Sequence, residues 1–407
     1  MEQPIKRHID FLDPIRGIAI LLVFLFHSLG AAFGRDELPW GQWFRDFTVP
    51  RSFLPLLPVT FGWAGVAIFF VVSGFCIHLS FSRQPVWSLF FHRRFFRIYP
   101  PYLAALLIFA LVFPTTRLHF ASWRAVGQFV SHLALVHNLN EHTSFGINSS
   151  FWSIAAEVQL YALYPLLLAL VSRFGWRQSL VALAVVEIAL RLADGVLLTV
   201  GGKGLPMWLS GSPFFYWFSW SLGAFLAERH IRGHRLPAPR LLLYGLAVLA
   251  IASGFVRPLS SMGFVFFALL TTVVIARLLN DTEQQIPIRG ALQTHLQRVG
   301  LWSFSLYLLH QPLLLAIPRV AAKFASGVYI HPLVMFFICV ASWVVIVPIS
   351  RLSYQFCELP SIALGKRLHT RNVANRALQQ IGSGVTACVA PPPVMAQATP
   401  VPPVAEL

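Results

Sequence analysis

Long apolar runs separated by short polar stretches dominate the pattern of this chain. Ten of these runs are long enough, or nearly so, to cross a bilayer as a helix, which takes roughly 20 mostly apolar residues. They lie at residues 11–33, 61–82, 98–114, 152–172, 178–200, 212–228, 240–256, 259–279, 299–317 and 332–351. The pattern therefore predicts an all-α integral membrane protein, a polytopic bundle of about ten transmembrane helices.

An eleventh run, residues 123–139, is interrupted by Gln128, His132 and His137. The positive-inside rule decides how to count it, because Lys and Arg favour cytoplasmic loops. With ten spans and a cytoplasmic N-terminus, roughly two thirds of the 31 Lys and Arg residues fall on the inner side. Counting the eleventh run as a span would leave only about one third of them there. We therefore expect residues 123–139 to lie on the outer face or dip into it.

The composition supports this class and excludes others. The chain has 407 residues, of which 57% are hydrophobic and 11% charged, with a mean hydropathy of +0.68, whereas soluble domains carry about 25% charged residues. Asp10, Asp13 and Arg16 crowd the start of the first run, which argues against a cleavable signal. The distribution of the net charge of +16 along the chain indicates the membrane topology, and no nucleic-acid partner is expected. The four cysteines are scattered without a CxxC, so no disulfide framework or metal site is implied.

The C-terminal stretch differs in composition from the apolar runs. After the last run the chain is first basic and then rich in Ala, Gln, Val and Pro, with too little periodic apolar content to fold. We predict a transmembrane domain over residues 1–360 and a disordered cytoplasmic tail over 361–407. The protein is expected in the inner (cytoplasmic) membrane as a multi-pass protein, with both termini in the cytoplasm.

The first run carries two ionisable residues, Arg16 near its start and His27 well inside. A charged group in hydrocarbon costs about 2.5–3.5 kcal/mol even on lenient insertion scales, so its presence needs a reason. On a helix the two side chains share nearly one face and lie roughly 16 Å apart along the axis. One interpretation is a snorkelling arginine and a histidine that packs against a neighbouring helix. The other is a functional pair, a cation at the membrane edge and a titratable imidazole at depth.

A basic cluster follows the second run, with His92, Arg93, Arg94 and Arg97 ahead of Tyr99. It is either an ordinary positive-inside flank or a set of guanidinium groups that holds phosphates bidentately. In the second case a soluble donor carrying several phosphates would fit, and Arg16 would reach it from the same side.

A polar stripe opens the fourth run, where Ser153, Glu157, Tyr161 and Tyr164 recur on one helical face. The glutamate is either solvated at the helix end or faces a cavity, and the polar stripe favours a cavity because lipid is a poor environment for it.

Two further runs carry polar side chains at depth. The ninth run holds Ser305, Tyr307 and His310, although a lone histidine there is more often a packing residue than a catalyst. In the second run, Ser73 and Gly74 are small enough to let another helix backbone approach closely.

A charged trio interrupts the fifth run. Glu187, Arg191 and Asp194 fall near one helical face, where residues three and four apart are neighbours. Paired charges cost less in a membrane than isolated ones, so we interpret this trio as structural.

Five short motifs follow one another along the chain. They are the Arg16-to-His27 spacing, FFVVSGF from residue 69, RFFRIYP from residue 94, FWSxxxE from residue 151 with Tyr161 and Pro165 behind it, and SLYLLH from residue 305. In this order they resemble the membrane-bound acyltransferase 3 family, over about residues 10–360. One departure is Pro14, where many members have Gly. Proline is tolerated in the first turn of a helix, so this departure affects no catalytic residue.

The resemblance implies an enzyme that O-acylates carbohydrates and other envelope or secreted molecules. We expect it to move an acyl group, acetyl before others, from cytoplasmic acyl-CoA to a hydroxyl of a glycan or glycolipid acceptor at the outer side of the membrane. Acetyl-CoA or another acyl-CoA is then a co-substrate, with no permanently bound cofactor and no metal. The expected partners are acyl-CoA, the acceptor and the lipid bilayer. The alternative is a transporter or flippase of lipid-linked sugars, although the chain lacks the matching halves common in such folds.

The residue roles follow from the resemblance and from side-chain chemistry. His27 would take the proton from the acceptor hydroxyl or briefly carry the acyl group, since an imidazole pKa lies near working pH. A serine nucleophile is not expected because no GxSxG elbow is present. The predicted site comprises the catalytic residues His27, Glu157 and Arg16, the donor-binding residues Arg93, Arg94, Arg97 and Tyr99, and the acceptor-binding or supporting residues Ser73, Ser153, Tyr161, Tyr307 and His310.

Overall fold

The computed structural model describes residues 9–34, 51–281, 290–324 and 329–370, and these ranges fold into helices without a strand. The α-helices are α1 Leu12–Phe33, α2 Ala64–Arg83, α3 Trp87–Leu107, α4 Trp123–Leu133, α5 Phe151–Gly201, α6 Met207–Ser210, α7 Trp217–Ile231, α8 Arg240–Ser253, α9 Gly263–Asn280, α10 Ala291–Leu301, α11 Ser303–Phe324, α12 Pro332–Ala341 and α13 Trp343–Ser353. Shorter 3-10 or π segments are Arg51–Trp63, Ile108–Val112, His137–Leu139, Pro213–Phe215, Arg257–Met262 and Tyr354–Glu358. The all-α class predicted from the apolar runs is therefore confirmed.

The number of membrane spans is the part of the prediction that length and composition do not confirm. Within the described ranges, five helical stretches are long and apolar enough to cross a membrane. They are Leu12–Phe33, Pro55–Arg83, Trp87–Val112, Arg257–Asn280 and Pro332–Thr370. The pair α10 and α11, bent by 85° at residue 302, would be a sixth if it counts as one broken span. These stretches support a membrane protein but not the predicted count of about ten.

Helix α5 explains part of this difference, because it merges two of the predicted runs into 51 consecutive residues. The merged helix breaks at Gly175, whose φ of 78° and ψ of 165° are not helical. Its second arm carries the charged trio, which lowers its hydropathy. Arg191 donates to Glu187 at 3.0 Å, and both side chains are buried. The predicted internal pairing is thus confirmed, and the pair is satisfied further by Ser219, which donates its hydroxyl hydrogen to Glu187 at 2.6 Å.

Helices α2 and α7 cross at very short range. A Cβ atom added to Gly74 would lie 2.1 Å from the carbonyl oxygen of Trp220, and one added to Gly223 would lie 1.9 Å from that of Val71. Only glycine leaves room for backbones this close. The close approach predicted for Ser73-Gly74 is therefore present, and it brings Trp220 next to Ser73.

The predicted eleventh run forms only the 11-residue helix α4, capped at its N-terminus by Ser122. A helix of this length is far too short to cross a bilayer, which needs roughly 20 residues. Two tyrosines of α3 hold it: Tyr99 donates its hydroxyl hydrogen to the carbonyl of Leu133 at 3.1 Å, and Tyr102 to that of His132 at 2.9 Å. Run 123–139 is not a span by itself, as the charge distribution predicted.

The last helix continues past residue 360, where the tail was predicted to begin. The chain stays helical from Tyr354 through Thr370, so the first ten residues of the predicted tail are an extension of the last helix. They pack on α3, where the imidazole Nε2 of His92 lies 2.8 Å from the carbonyl oxygen of Gly365. Residues 371–407, the rest of the predicted tail, lie outside the described residues.

Candidate active site

A cavity of about 770 Å³ lies among α1, α2, α3, α5 and α11. It collects most of the side chains that the sequence singled out from separate helices. The predicted residues that line it are Arg16, Ser73, Arg94, Arg97, Ser153, Glu157, Tyr161 and Tyr307. We call this space the central cavity. Such convergence of polar groups from five helices supports a ligand site rather than a set of independent packing contacts.

The carboxylate of Glu157 is the acidic centre of the cavity. Its Oε1 atom accepts a hydrogen bond from the Ser73 hydroxyl at 2.5 Å and another from the Tyr161 hydroxyl. Glu157 and Tyr161 are four residues apart on α5, which places both on the face that the sequence pattern predicted. Trp220 completes the cluster by donating its indole N–H to the Ser73 oxygen at 3.3 Å. The carboxylate is thus held in one orientation from two helices.

Three arginines line the same cavity. Arg16 donates to Asp13 at 3.0 Å and contacts the Cys76 sulfur at 3.1 Å. Arg94 and Arg97, three residues apart, lie on one face of α3. Guanidinium groups gathered in this way suit multivalent anions, which they bind through paired N–H donors.

A second, more open cavity adjoins the first and shares Arg16 and Cys76 with it. Its empty volume is about 1510 Å³, and Arg83 and Arg93 add two more cations to its wall. Arg93 therefore lies in this second cavity, which we call the vestibule, and not in the central cavity. The two spaces meet at Arg16 and Cys76, and we call the five arginines that line them the basic path.

Tyr99, predicted to bind the donor, does not line the central cavity. Its hydroxyl hydrogen is donated to the backbone carbonyl of Leu133, which ties α3 to the end of α4. Its ring lies in the wall of an adjoining, mostly apolar cavity, which shares Arg94 and Tyr161 with the central cavity. The hydrogen bond of Tyr99 is structural, and its donor-binding role stays a prediction.

Beyond the cavity, one turn along α11 from Tyr307, lies a pair of histidines. His27 Nδ1 and His310 Nε2 are 3.0 Å apart. The other nitrogen of His310, Nδ1, lies 2.9 Å from the carbonyl oxygen of Tyr307 and 3.2 Å from that of Leu306. A carbonyl only accepts, so Nδ1 of His310 carries a hydrogen and Nε2 of the neutral ring accepts one from His27. The lone pair of a neutral His27 is then on Nε2.

The Ser153 hydroxyl holds Tyr307, a cavity residue beside this histidine pair. It lies 2.6 Å from the Tyr307 hydroxyl and donates its own hydrogen to the carbonyl of Ser150 at 3.2 Å. Tyr307 is therefore the donor in the short bond, and its ring centroid lies 5.4 Å from that of His310. Near the same place Asn148 donates to the carbonyl of Leu308 at 2.9 Å. The start of α5 thus fixes the segment of α11 that carries His310.

Four side chains around the site were not predicted from the sequence. Asp13, Cys76 and Trp220 contact predicted residues directly, and Glu358 lies 3.9 Å from Arg97. Asp13 and Glu358 offered a signal, since each is a rare carboxylate beside an apolar run. Cys76 and Trp220 offered none, because both residue types are common in apolar helices.

Outside the candidate spans, the segment that follows α3 contains two stacked histidines. The rings of His132 and His137 are nearly parallel, with centroids 3.8 Å apart, and both are fully buried. Burial lowers the pKa of His132 to about 4. Burial, and then the neighbouring His132, lowers the pKa of His137 to about 2. Both rings are therefore neutral at physiological pH.

Comparison with known proteins gives two matches. A family model described as an acyltransferase domain matches residues 9–351. Among curated proteins, the acyltransferase MdmB of Streptomyces mycarofaciens is 28% identical over 324 residues, an alignment that covers 74% of this chain and 77% of that protein. No solved structure matches the chain significantly.

Proposed function

The chain belongs to the acyltransferase family whose model matches residues 9–351, and from that premise we propose that it is a membrane O-acyltransferase. It moves an acyl group, acetyl in the simplest case, from cytoplasmic acyl-CoA to a hydroxyl of a glycan or glycolipid acceptor at the outer side of the membrane. One observation carries this proposal: a single cavity brings three arginines together with Glu157, and Tyr307 in its wall lies beside His310 of the histidine pair.

The donor binds by its phosphates. An acyl-CoA carries several phosphate groups and a long, uncharged pantetheine arm that ends in the thioester. Arg83 and Arg93 attract the phosphates to the vestibule, while Arg16, Arg94 and Arg97 hold them or the start of the arm within the central cavity. This arrangement directs the thioester past Glu157 toward Tyr307.

His27 provides the base. Its Nε2 atom takes the proton of the acceptor hydroxyl while the hydroxyl oxygen attacks the thioester carbonyl carbon. The C–S bond then breaks, CoA leaves as a thiolate, and the proton passes from His27 to that sulfur. If the reaction runs in two steps, the same Nε2 atom attacks the carbonyl first and the C–S bond breaks to release CoA as a thiolate. The acceptor hydroxyl then attacks the acyl-imidazole, the bond between Nε2 and the acyl carbon breaks, and the hydroxyl proton passes to that thiolate.

His310 orients His27. By accepting from Nδ1–H, it fixes the tautomer of His27 and stabilises the imidazolium that forms when Nε2 is protonated. The hydrogen bonds of Glu157 run to Ser73 and Tyr161, so this carboxylate serves the cavity. We assign to it the recognition of acceptor hydroxyls.

The topology of the proposal has ten spans with both termini in the cytoplasm. In this topology α1 enters from the cytoplasmic side, so Arg16 lies near the inner edge and His27 about 16 Å deeper. The donor then reaches up from the cytoplasm, and the acceptor reaches down from the outer face.

The experiment is acyl transfer by the purified protein in lipid nanodiscs, supplied with radiolabelled acetyl-CoA and a membrane glycolipid extract. We expect label in the glycolipid fraction with the wild type, and none with His27→Gln, which keeps hydrogen bonding but has no usable base. His142→Gln, an exposed histidine outside the site, is the matched control and should retain activity. Failure of the wild type to bind or consume acyl-CoA would favour the flippase alternative.

A further inference from the structure

The helical segment 354–370 continues the chain beyond the family match, which ends at residue 351. It runs along the donor-binding helix α3 and makes polar contacts with it at three successive turns. His92 Nε2 lies 2.8 Å from the carbonyl oxygen of Gly365, and the Ser361 hydroxyl donates to the carbonyl of Phe96. The third contact is the ion pair between Arg97 and Glu358.

The two helices are also closely packed. A Cβ atom added to Gly365 would lie 2.7 Å from the Cβ of Phe96, so a larger residue there would displace α3 or the segment. The register of the segment against α3 is therefore fixed by shape as well as by hydrogen bonds.

Glu358 is the unusual residue of this segment, because its carboxylate is fully buried. It ends the π-helical turn Tyr354–Glu358, a local widening that is frequent at functional sites. Its Oε2 atom accepts a hydrogen bond from Ser305 at 2.9 Å. Among the described residues, its Oε1 atom has no hydrogen bond, and the Arg97 Nη2 atom lies 3.9 Å from it.

A buried carboxylate is costly unless a cation compensates it. Arg97 is the nearest cation, and Arg16 is the other arginine whose charge acts on this carboxylate. Both line the central cavity, whereas Glu358 lies behind its wall. The fold thus places a buried carboxyl group directly behind the groups proposed to hold the donor.

We propose that Glu358 is a positioning residue of the donor site, acting through Arg97; this inference rests on the proposed acyl-CoA donor. The side chain of Arg97 is 41% exposed, so without a partner its guanidinium would sample several rotamers. The carboxylate behind it restricts these rotamers and presents the remaining N–H donors to the cavity. Preorganisation of this kind lowers the entropy lost when the anion binds.

The same carboxylate ties the donor site to the histidine pair. Ser305, which donates to its Oε2 atom, precedes Tyr307 by two residues and His310 by five on α11. Segment 354–370 therefore joins α3, which carries the arginines, to α11, which carries His310.

The experiment measures binding of CoA to the protein in nanodiscs, by calorimetry, for a double-mutant cycle at residues 97 and 358. Glu358→Gln keeps the size of the side chain and an acceptor for Ser305 but removes the ionisable carboxyl group. We expect Glu358→Gln and Arg97→Ala each to weaken CoA binding about tenfold, and the double variant to be no weaker than Arg97→Ala alone. Glu187→Gln, at a buried ion pair outside the central cavity, is the control and should lower the melting temperature without changing CoA affinity.

The outcomes separate the two proposals. A wild type that binds no CoA contradicts the proposed function itself. Two results overturn only the positioning role, provided that the wild type binds CoA. In one, the losses of affinity caused by the two substitutions multiply in the double variant; in the other, Glu358→Gln does not change CoA affinity. Tighter binding by Glu358→Gln overturns it as well, because Glu358 would then compete with the donor for Arg97. If Glu358→Gln does not accumulate, Glu358→Asp replaces it in the cycle. We expect Glu358→Asp to lower CoA affinity by a smaller factor, and this loss must also vanish when Arg97 is replaced by alanine.

Discussion

The Nδ1 atom of His27 and the Nε2 atom of His310 lie 3.0 Å apart, although 283 residues separate them along the chain. His310 also contacts two backbone carbonyls through its other nitrogen, so the direction of the hydrogen bond between the rings follows from the acceptors available. His27 donates, His310 accepts, and the basic nitrogen of His27 is the one farther from His310. A buried neutral imidazole thus sets the tautomer of the proposed base.

The first prediction tests this orienting role. His310→Ala removes the acceptor of the His27 Nδ1–H bond, so the wrong tautomer and ring orientation become populated. We expect kcat to fall by about 10²–10⁴-fold, the range typical of positioned acid–base groups, with the donor KM unchanged. His310→Gln, whose amide oxygen can still accept, should recover part of the loss. Steady-state kinetics of acyl transfer measures both constants, and an equal change of KM in both variants would argue for a packing role instead.

The second prediction concerns the basic path. Arg94→Ala removes a guanidinium from the central cavity and should weaken CoA binding about tenfold or more. Arg93→Ala affects only the vestibule, so its effect should be smaller and should shrink as salt rises, since exposed charges are screened. Calorimetric titration of CoA at low and high salt measures both effects. Arg173→Ala, at an exposed position of α5, is the control; a similar loss there would mean that net charge alone attracts the donor.

Local periodicity predicted the parts of the site that lie on one helix. Ser153, Glu157 and Tyr161 share a face because residues four apart are neighbours on a helix, and the structure places all three in the central cavity. The partners of Glu157 on other helices could not be predicted in this way. Ser73 lies 84 residues away, and its contact with Glu157 depends on how α2 packs against α5 and α7.

The features that the sequence analysis did not predict have equally specific causes. Hydropathy gave no sign that the two runs of α5 are joined at Gly175 or that the last helix continues to Thr370. Tyr99 stands beside the arginines in sequence, but its hydroxyl hydrogen goes to the carbonyl of Leu133, a contact that depends on how α4 packs on α3. The buried position of Glu358 was not predicted, because a π-helical turn leaves no recognisable pattern in the sequence.

The third prediction concerns pH and the stacked pair His132 and His137. Burial depresses both pKa values below the ordinary 6.5, so the unfolded chain binds protons that the folded chain does not. The stability that these rings contribute is present above pH 6.5 and is lost as pH falls toward 4. For His132 alone the loss between pH 7.5 and 5 is about 2 kcal/mol. The melting temperature of the protein in detergent should therefore decrease as the pH is lowered.

His137→Phe tests that prediction, because it keeps an aromatic ring against His132 and removes one titrating group. The fall in melting temperature between pH 7.5 and 5 should be smaller in this variant than in the wild type. His142→Gln, an exposed histidine nearby, should behave as the wild type does. Equal slopes in all three proteins would show that other groups cause the acid sensitivity.

The last prediction concerns the sides of the membrane, on which the two-sided mechanism depends. In the ten-span topology, the segment before α5 faces outward and the segment between α7 and α8 faces the cytoplasm. Glu141 and Arg235 are exposed residues of these two segments, so cysteines placed there are accessible to a thiol reagent. Glu141→Cys should react with an impermeant maleimide in intact cells, and Arg235→Cys only after the membrane is permeabilised. The parent protein, with its own four cysteines, gives the background labelling. If both positions react from the same side, the number of spans between them is even, which contradicts the ten-span topology. Donor and acceptor then cannot approach the histidine pair from opposite faces as proposed.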